Sequence, residues 1–111
     1  MGFETTIKTD NAMAYLMENV GIDLFTSAAD TICRDGSVEN KIGTYQIALL
    51  SYHFKVPCYV TGIPDDDKYT KDDIEIEMKD QNLALEERSY DKVKAIYSSF
   101  DITPSAYIKK L

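Results

Sequence analysis

The chain has 111 residues, of which 44% are hydrophobic, and it carries a formal net charge of −7 at pH 7. That length fits one folded domain and is short for a complete α/β enzyme with its own substrate pocket. The acidic balance and the lack of a basic stripe argue against a nucleic-acid partner. No stretch approaches the roughly 20 apolar residues of a membrane span, and the N-terminus has no signal-peptide pattern, so a cytoplasmic protein is expected.

The N-terminal part of the chain predicts a strand, a helix and a second strand. Residues 4–9 are rich in β-branched side chains and alternate in polarity, which is typical of a short strand. Asp10 is the natural N-cap of a helix over residues 11–18, where apolar residues recur at helical spacing. The apolar run at 22–28 predicts a buried strand. A right-handed parallel crossover is the default for such a unit.

The second predicted strand delivers Asp30 to its carboxyl end, where open α/β sheets bind their ligands. A hairpin-like piece with turn residues at 34–36 follows. Asn40 stands where it can cap a helix over residues 41–54, and Lys41 opens that helix. A carboxylate, an amide and an ammonium group are therefore expected to converge at one rim of the sheet.

Gly43 lies in the first turn of this predicted helix and has two interpretations. Its missing side chain lets backbone N–H groups approach a phosphate or a sugar hydroxyl, and Lys41 adds positive charge. The alternative is a plain capped helix with a glycine needed for tight packing, which the residues alone favour.

The rest of the chain predicts smaller elements. Apolar or alternating segments predict strands, Pro104 predicts the start of a closing helix, and the acidic run predicts a solvated loop without the ligand spacing of a calcium site. Strands are expected at 57–61 and 93–97, and a short edge strand or an extended segment at 74–77. The loop is expected at 65–68, and a polar connection, helical or irregular, at 79–88.

The cysteines and the histidine offer little chemistry. Cys33 and Cys58 have no partner spacing, and with His53 they predict no zinc site. Cys33 is either a nucleophile beside Asp30 or a small residue that ends a strand, and the second interpretation is the more common one. His53 receives no role, because nothing near it in sequence orients the ring.

Several segments, taken together and in order, resemble the methylthioribose-1-phosphate isomerase family, which also contains ribose-1,5-bisphosphate isomerases and regulatory subunits of translation initiation factor 2B. Any one segment is a weak signal, whereas the ordered set over nearly the whole chain is specific. The segments are a helix at 10–17 (D-N-A-M-A-Y-L-M), the core signature at 29–30 (A-D), 35–36 (D-G) and 40–45 (N-K-I-G-T-Y), a strand at 56–60 (V-P-C-Y-V) and an ending at 100–104 (F-D-I-T-P).

The resemblance implies a role for each of three residues. Asp30 takes the acid/base position of an aldose–ketose isomerase in methionine salvage, and Asn40 with Lys41 takes the substrate-binding position. No cofactor and no metal is implied. The family's arginine after the aspartate is replaced by Thr31, and its N-terminal domain, cysteine motif and phosphate-binding arginines have no counterpart.

The expected fold is α/β, a partial Rossmann-like three-layer domain with a mostly parallel sheet. Residues 1–111 are expected to form a single domain, the C-terminal portion of the family's Rossmann-like domain. Three functions remain open: a truncated isomerase with a sugar-phosphate substrate that is inactive alone, a factor-2B-like interaction module, or a small independent enzyme that uses Asp30. An uncovered sheet edge beside residues 4–9 predicts a homo-oligomer, unless residues 68–88 fold over it.

Overall fold

The structure is a computed structural model that describes residues 2–81, 84 and 93–109. The described chain is of the α/β class, as predicted. Its helices and strands, in chain order, are α1 (Met13–Asn19), β1 (Phe25–Ala28), β2 (Thr31–Ile32), β3 (Val38–Lys41), α2 (Thr44–His53), β4 (Cys58–Thr61) and β5 (Phe100–Thr103). No helix among the described residues is long and apolar enough to cross a membrane.

The parallel part of the fold consists of β1 and β4. Their register runs from Phe25 opposite Cys58 to Ala28 opposite Thr61. The predicted crossover between strands at 4–9 and 22–28 does not form, because residues 4–9 are not a strand. The chain passes instead from β1 to β4 through α2. The two strands end at the same edge, and the residues that follow β1 lie at the carboxyl end of the pair.

The predicted strand at 4–9 is wrong. Residues 2–9 have no regular secondary structure, and Phe3 and Ile7 are 89% and 94% exposed. An isolated strand leaves its backbone groups without partners, so a strand-like sequence adopts strand structure where a neighbour is available. The helix that follows does form, as a 3₁₀ turn at Asp10–Ala12 continued by α1, and its cap position is Thr9 and not Asp10.

The antiparallel part of the fold is a three-stranded sheet in the order β2, β3, β5. The predicted hairpin between β2 and β3 is present, and its turn closes with a bond of 2.8 Å from the Cys33 N–H to the Ser37 carbonyl. The hydroxyl and the N–H of Ser37 both donate to the Asp35 carboxylate, and these bonds lower the pKa of Asp35. This antiparallel sheet adds to the parallel pair that the sequence predicted.

The C-terminal elements differ from the predictions. Residues 93–97 form no strand, and β5 begins at Phe100, where each residue from Phe100 to Thr103 finds a partner on β3. The helix expected after Pro104 is a 3₁₀ turn, Ser105–Tyr107. Residues 74–77 form no strand, and Met78 pairs with Ser98 in an isolated bridge. Most of the predicted polar connection at 79–88 lies outside the described residues.

The core joins α1 and α2 to the start of the parallel pair. Two methionines of α1 and a valine just before β4 are buried, and partly buried apolar side chains of α2, β1 and the adjoining loops pack against them. The cluster consists of Met13, Met17 and Val56 with Ile22, Phe25, Ile47, Leu50 and Phe54. This packing fixes α2 against β1, and α2 begins close to the carboxyl end of that strand.

Candidate functional site

Asp30 lies at the carboxyl end of the parallel pair, two residues after β1. Its side chain is exposed, and its carboxylate makes no hydrogen bond or ion pair with any described residue. The backbone is fixed nevertheless, because the N–H groups of Ala29 and Asp30 donate to the carbonyls of Thr61 and Glu39, each at 3.0 Å. The structure therefore presents a free carboxylate on an anchored backbone.

The pairing around Asp30 is irregular. Thr31 is the register partner of Glu39, yet the N–H of Asp30 also donates to the Glu39 carbonyl. Two residues of one strand thus oppose one residue of the other, which is the pattern of a β-bulge. Bulges turn a side chain away from the direction that regular alternation would give it, and they are frequent beside active sites.

Asn40 lies on β3 and does not cap α2, so that prediction is wrong. Its side-chain amide donates instead to the Ser27 hydroxyl at 3.0 Å and to the Thr44 hydroxyl at 3.1 Å. These two bonds connect β3 to β1 and to the first residue of α2. The amide nitrogen is thereby occupied, and the Oδ1 atom is the group of Asn40 that remains to accept a bond from a ligand.

Lys41 is the last residue of β3 and is exposed. Consecutive side chains of a strand point to opposite faces, so Lys41 leaves β3 on the face opposite Asn40. The structure therefore brings the backbones of Asp30 and Asn40 side by side at the carboxyl end of the parallel pair. Convergence of the Lys41 ammonium group with them stays a prediction.

The start of α2 is capped by Asp101, a residue of β5. The Asp101 carboxylate accepts the N–H of Gly43 at 2.9 Å and the N–H of Tyr45 at 3.2 Å. Gly43 is the N-cap residue, with φ at +105°, a conformation that glycine adopts at little cost. Because the protein's own carboxylate occupies these N–H groups, they do not form the open anion site that Gly43 suggested.

Asp101 is the residue that the sequence analysis did not assign to this region. It lies 56 to 58 residues from the N–H groups it caps, so no local capping pattern points to it. Its register partner across the sheet is Asn40. A pairing of β3 with β5, had it been predicted, would have put Asp101 next to the helix start.

The other reactive side chains lie away from solvent or outside this region. Cys33 and Cys58 are free thiols, each 2% exposed, and burial raises the pKa of Cys58. A buried thiol is a poor nucleophile, so Cys33 fits the role of a small residue after a strand. His53 ends α2 and stacks edge-on against Phe54. Within the described ranges, no three side chains of metal-ligating type come together.

Comparisons with known proteins identify what the chain resembles. The family model described as "Initiation factor 2 subunit family" matches residues 1–111. Two curated methylthioribose-1-phosphate isomerases illustrate the relatives. The protein from Pseudomonas syringae pv. syringae is 37% identical over 113 residues, which cover 96% of this chain and 32% of the relative. The protein from Carboxydothermus hydrogenoformans is 32% identical over 120 residues, which cover 96% of this chain and 33% of the relative.

Solved structures of proteins with the same two names also resemble this chain in fold. The 5-methylthioribose 1-phosphate isomerase from Pyrococcus horikoshii OT3 superposes with a TM-score of 0.80 at 30% identity, covering 89% of this chain and 30% of that one. The delta subunit of translation initiation factor eIF-2B from A. fulgidus superposes with a TM-score of 0.81 at 29% identity, and the superposition covers 93% of this chain and 32% of that subunit. The chain spans about a third of the length of these relatives.

Proposed function

The chain belongs to the initiation factor 2 subunit family, and on that premise we propose that it contributes Asp30, Asn40 and Lys41 to the site of an aldose–ketose isomerase acting on a sugar 1-phosphate. The relatives' names point to methylthioribose 1-phosphate as the substrate, which would place the reaction in methionine salvage in the cytoplasm. The observation that carries the proposal is the free, exposed carboxylate of Asp30 on a backbone anchored at the carboxyl end of β1.

The chemistry assigns each residue a separate task. Isomerisation of an aldose to a ketose needs a group that exchanges a proton with the open-chain sugar, and a carboxylate without an internal partner is available for that. Asn40 would accept a hydroxyl through Oδ1, because its amide nitrogen is held by Ser27 and Thr44. Lys41, the exposed last residue of β3, would supply positive charge to the phosphate from the other side of the strand end. None of these three tasks requires a cofactor.

The proposed isomerase site is incomplete in this chain. Proton transfer between neighbouring carbons uses a second acid/base group and an anchored phosphate, and the family resemblance puts both in segments that have no counterpart here. We propose that the chain is one domain of a larger functional unit, the part that corresponds to the C-terminal portion of the family's Rossmann-like domain.

We expect the purified chain to have negligible isomerase activity on methylthioribose 1-phosphate. Loss of one acid/base partner commonly lowers the rate by about 10²- to 10⁴-fold, and loss of the phosphate ligands lowers it further. Conversion to the ketose is followed by ¹³C NMR, with a full-length relative as the reference. Turnover within tenfold of that relative, and its loss in Asp30→Asn, would show instead a small independent enzyme.

A second candidate, an interaction module without catalysis, is supported by the equally close superposition on the eIF-2B delta subunit. The two candidates differ in what they require of Asp30. An interaction module has no chemical need for a free carboxylate beside an anchored asparagine, so sugar-phosphate binding that depends on Asp30 favours the isomerase.

We also propose that the chain forms a homo-oligomer. Phe3 and Ile7 in the N-terminal segment and Leu24 just before β1 are exposed apolar side chains, and no strand is paired with the second edge of β1 in the described structure. Such an edge can accept another chain. Sedimentation equilibrium at micromolar concentration is expected to give at least twice the 12.6 kDa chain mass, and a single 12.6 kDa species would exclude the oligomer.

A further inference from the structure

A cavity lies at the opposite end of the parallel pair from Asp30. It is an open cleft with a volume of about 450 Å³, lined by the last turn of α2, residues 55–58 and the C-terminal segment at 106–109. That volume is within the range of small-molecule sites, which is about 300 to 1,000 Å³. The four residues of β4 separate this cavity from the carboxyl edge by about 13 Å, so the two sites are distinct.

The wall of the cavity is aromatic and its floor is apolar. The rings of Tyr52 and Tyr107 meet edge to face, with centroids 5.1 Å apart at 83°, and Tyr52 is 66% exposed. Val56 and Cys58 are buried at the floor. An accessible tyrosine ring that a neighbouring ring holds in place offers a surface on which a planar ring can stack.

The mouth of the cavity is positively charged in an acidic protein. Lys55 and Lys109 are both exposed and both line the cavity, whereas no Asp or Glu is among its described lining residues. The chain as a whole has 19 acidic and 12 basic side chains. Two ammonium groups at one cavity create a local positive potential that attracts anions.

The backbone holds both lysines in place. The N–H of Lys109 donates to the carbonyl of Cys58 at 2.8 Å. Lys55 follows α2 with φ at +59°, a left-handed conformation in which glycine is the favoured residue. The carbonyls of Ser51 and Tyr52 accept the N–H groups of Val56 and Lys55, which fixes the backbone at the end of α2.

We propose that this cavity binds a small planar aromatic anion, with the ring stacked on Tyr52 and the anionic group between Lys55 and Lys109. The proposal is independent of the isomerase site. The aromatic wall favours a flat ring, the volume fits a small ligand, and the lysines favour negative charge. A lysine at a left-handed position is consistent with a site that sacrifices some stability for an ammonium group.

The test is a ¹⁵N NMR titration of the full chain with 2-naphthoate. Two matched probes separate the requirements, because 2-naphthamide keeps the ring without the charge and cyclohexanecarboxylate keeps the charge without the ring. We expect saturable shifts at the amides of Tyr52, Lys55, Tyr107 and Lys109, with naphthoate binding at least several-fold more tightly than either matched probe. Equal affinity for naphthoate and naphthamide, shifts centred elsewhere, or no saturation at millimolar concentration would each overturn the proposal.

Two variants test the lysines separately. Lys109→Gln is expected to weaken naphthoate binding about two- to fivefold, as for the loss of an exposed ion pair. Lys55→Gly is expected to weaken binding by a similar factor while raising the melting temperature by a few degrees, because glycine relieves the left-handed backbone. Lys71→Gln, outside the cavity, is the control and should leave the affinity unchanged. Unchanged affinity in Lys109→Gln would contradict the proposal even if Lys55→Gly failed to fold.

Discussion

Asp30→Asn is expected to lower the kcat of a complete isomerase site by about 10²- to 10⁴-fold with little change in stability. The suitable context is a chimera in which this chain replaces the matching third of the Pseudomonas syringae relative. Asparagine has the same shape as aspartate, and the bond from the residue 30 N–H to the Glu39 carbonyl involves the backbone alone. The substitution therefore removes the proton-exchanging group and leaves the bulge intact.

The control for this experiment is Asp23→Asn. Asp23 is also an exposed carboxylate, and it precedes β1 at the amino end of the parallel pair, away from the proposed site. Both variants change the net charge by the same amount, so a general electrostatic effect would appear in both. An Asp30→Asn chimera that keeps at least a third of the parent kcat would exclude Asp30 as the acid/base group.

Asp101→Ala is expected to lower the free energy of unfolding by about 2 to 3 kcal/mol. Loss of a capping side chain commonly costs about 0.5 to 2 kcal/mol, and hydrogen bonds to a charged acceptor are at the stronger end of the range. Asp101 also joins α2 to β5, so its removal weakens a tertiary contact as well as a helix end. Single domains of this size are stable by about 5 to 15 kcal/mol, so the loss is a substantial fraction.

Urea denaturation of the purified chain measures this effect, with Asp66→Ala as the control. Asp66 is an exposed carboxylate in the loop after β4, and its removal should change the stability by less than about 0.5 kcal/mol. Asp101→Asn keeps one acceptor oxygen without the charge and should give an intermediate loss. If Asp101→Ala were no more destabilising than Asp66→Ala, the cap on Gly43 and Tyr45 would not contribute to folding.

The sequence predicted the elements whose signal is local. The strand after residue 22, the helix through Ile47 and Leu50, and the strand at 57–61 all appear within a few residues of the expected bounds. In each case an apolar run or a helical spacing also faces the core in the structure. The family resemblance was equally accessible, because its motifs are short and their order is preserved.

The predictions fail where the local structure depends on a strand that is distant in sequence. Residues 4–9 have the composition of a strand and find no neighbouring strand, whereas residues 100–103 form β5 because β3 is available for pairing. Asn40 has the character of an N-cap, but pairing with β5 makes it a strand residue, and Asp101 provides the cap instead. Such pairings connect residues about 60 positions apart, and no pattern within one segment contains them.

The candidate site was also predictable only where its signal is local. Asp30 could be predicted, because its place after an apolar strand indicates the carboxyl edge of a sheet. The anchoring of Asn40 by Ser27 and Thr44 could not, since it depends on the meeting of β1, β3 and α2. The sequence thus indicates where Asp30 lies, and the structure adds the hydrogen bonds that hold Asn40 beside it.

The central claim is that the edge formed by Asp30 and Asn40 engages a sugar phosphate. An ¹⁵N NMR titration of the purified chain with methylthioribose 1-phosphate tests this most directly, because it requires binding and not turnover. We predict saturable shifts confined to the amides of residues 29–31 and 39–43, weakened in Asp30→Asn and unchanged in Asp23→Asn. Absence of saturable shifts at this edge, or shifts centred on the cavity beside Tyr52 and Lys55, would contradict the claim.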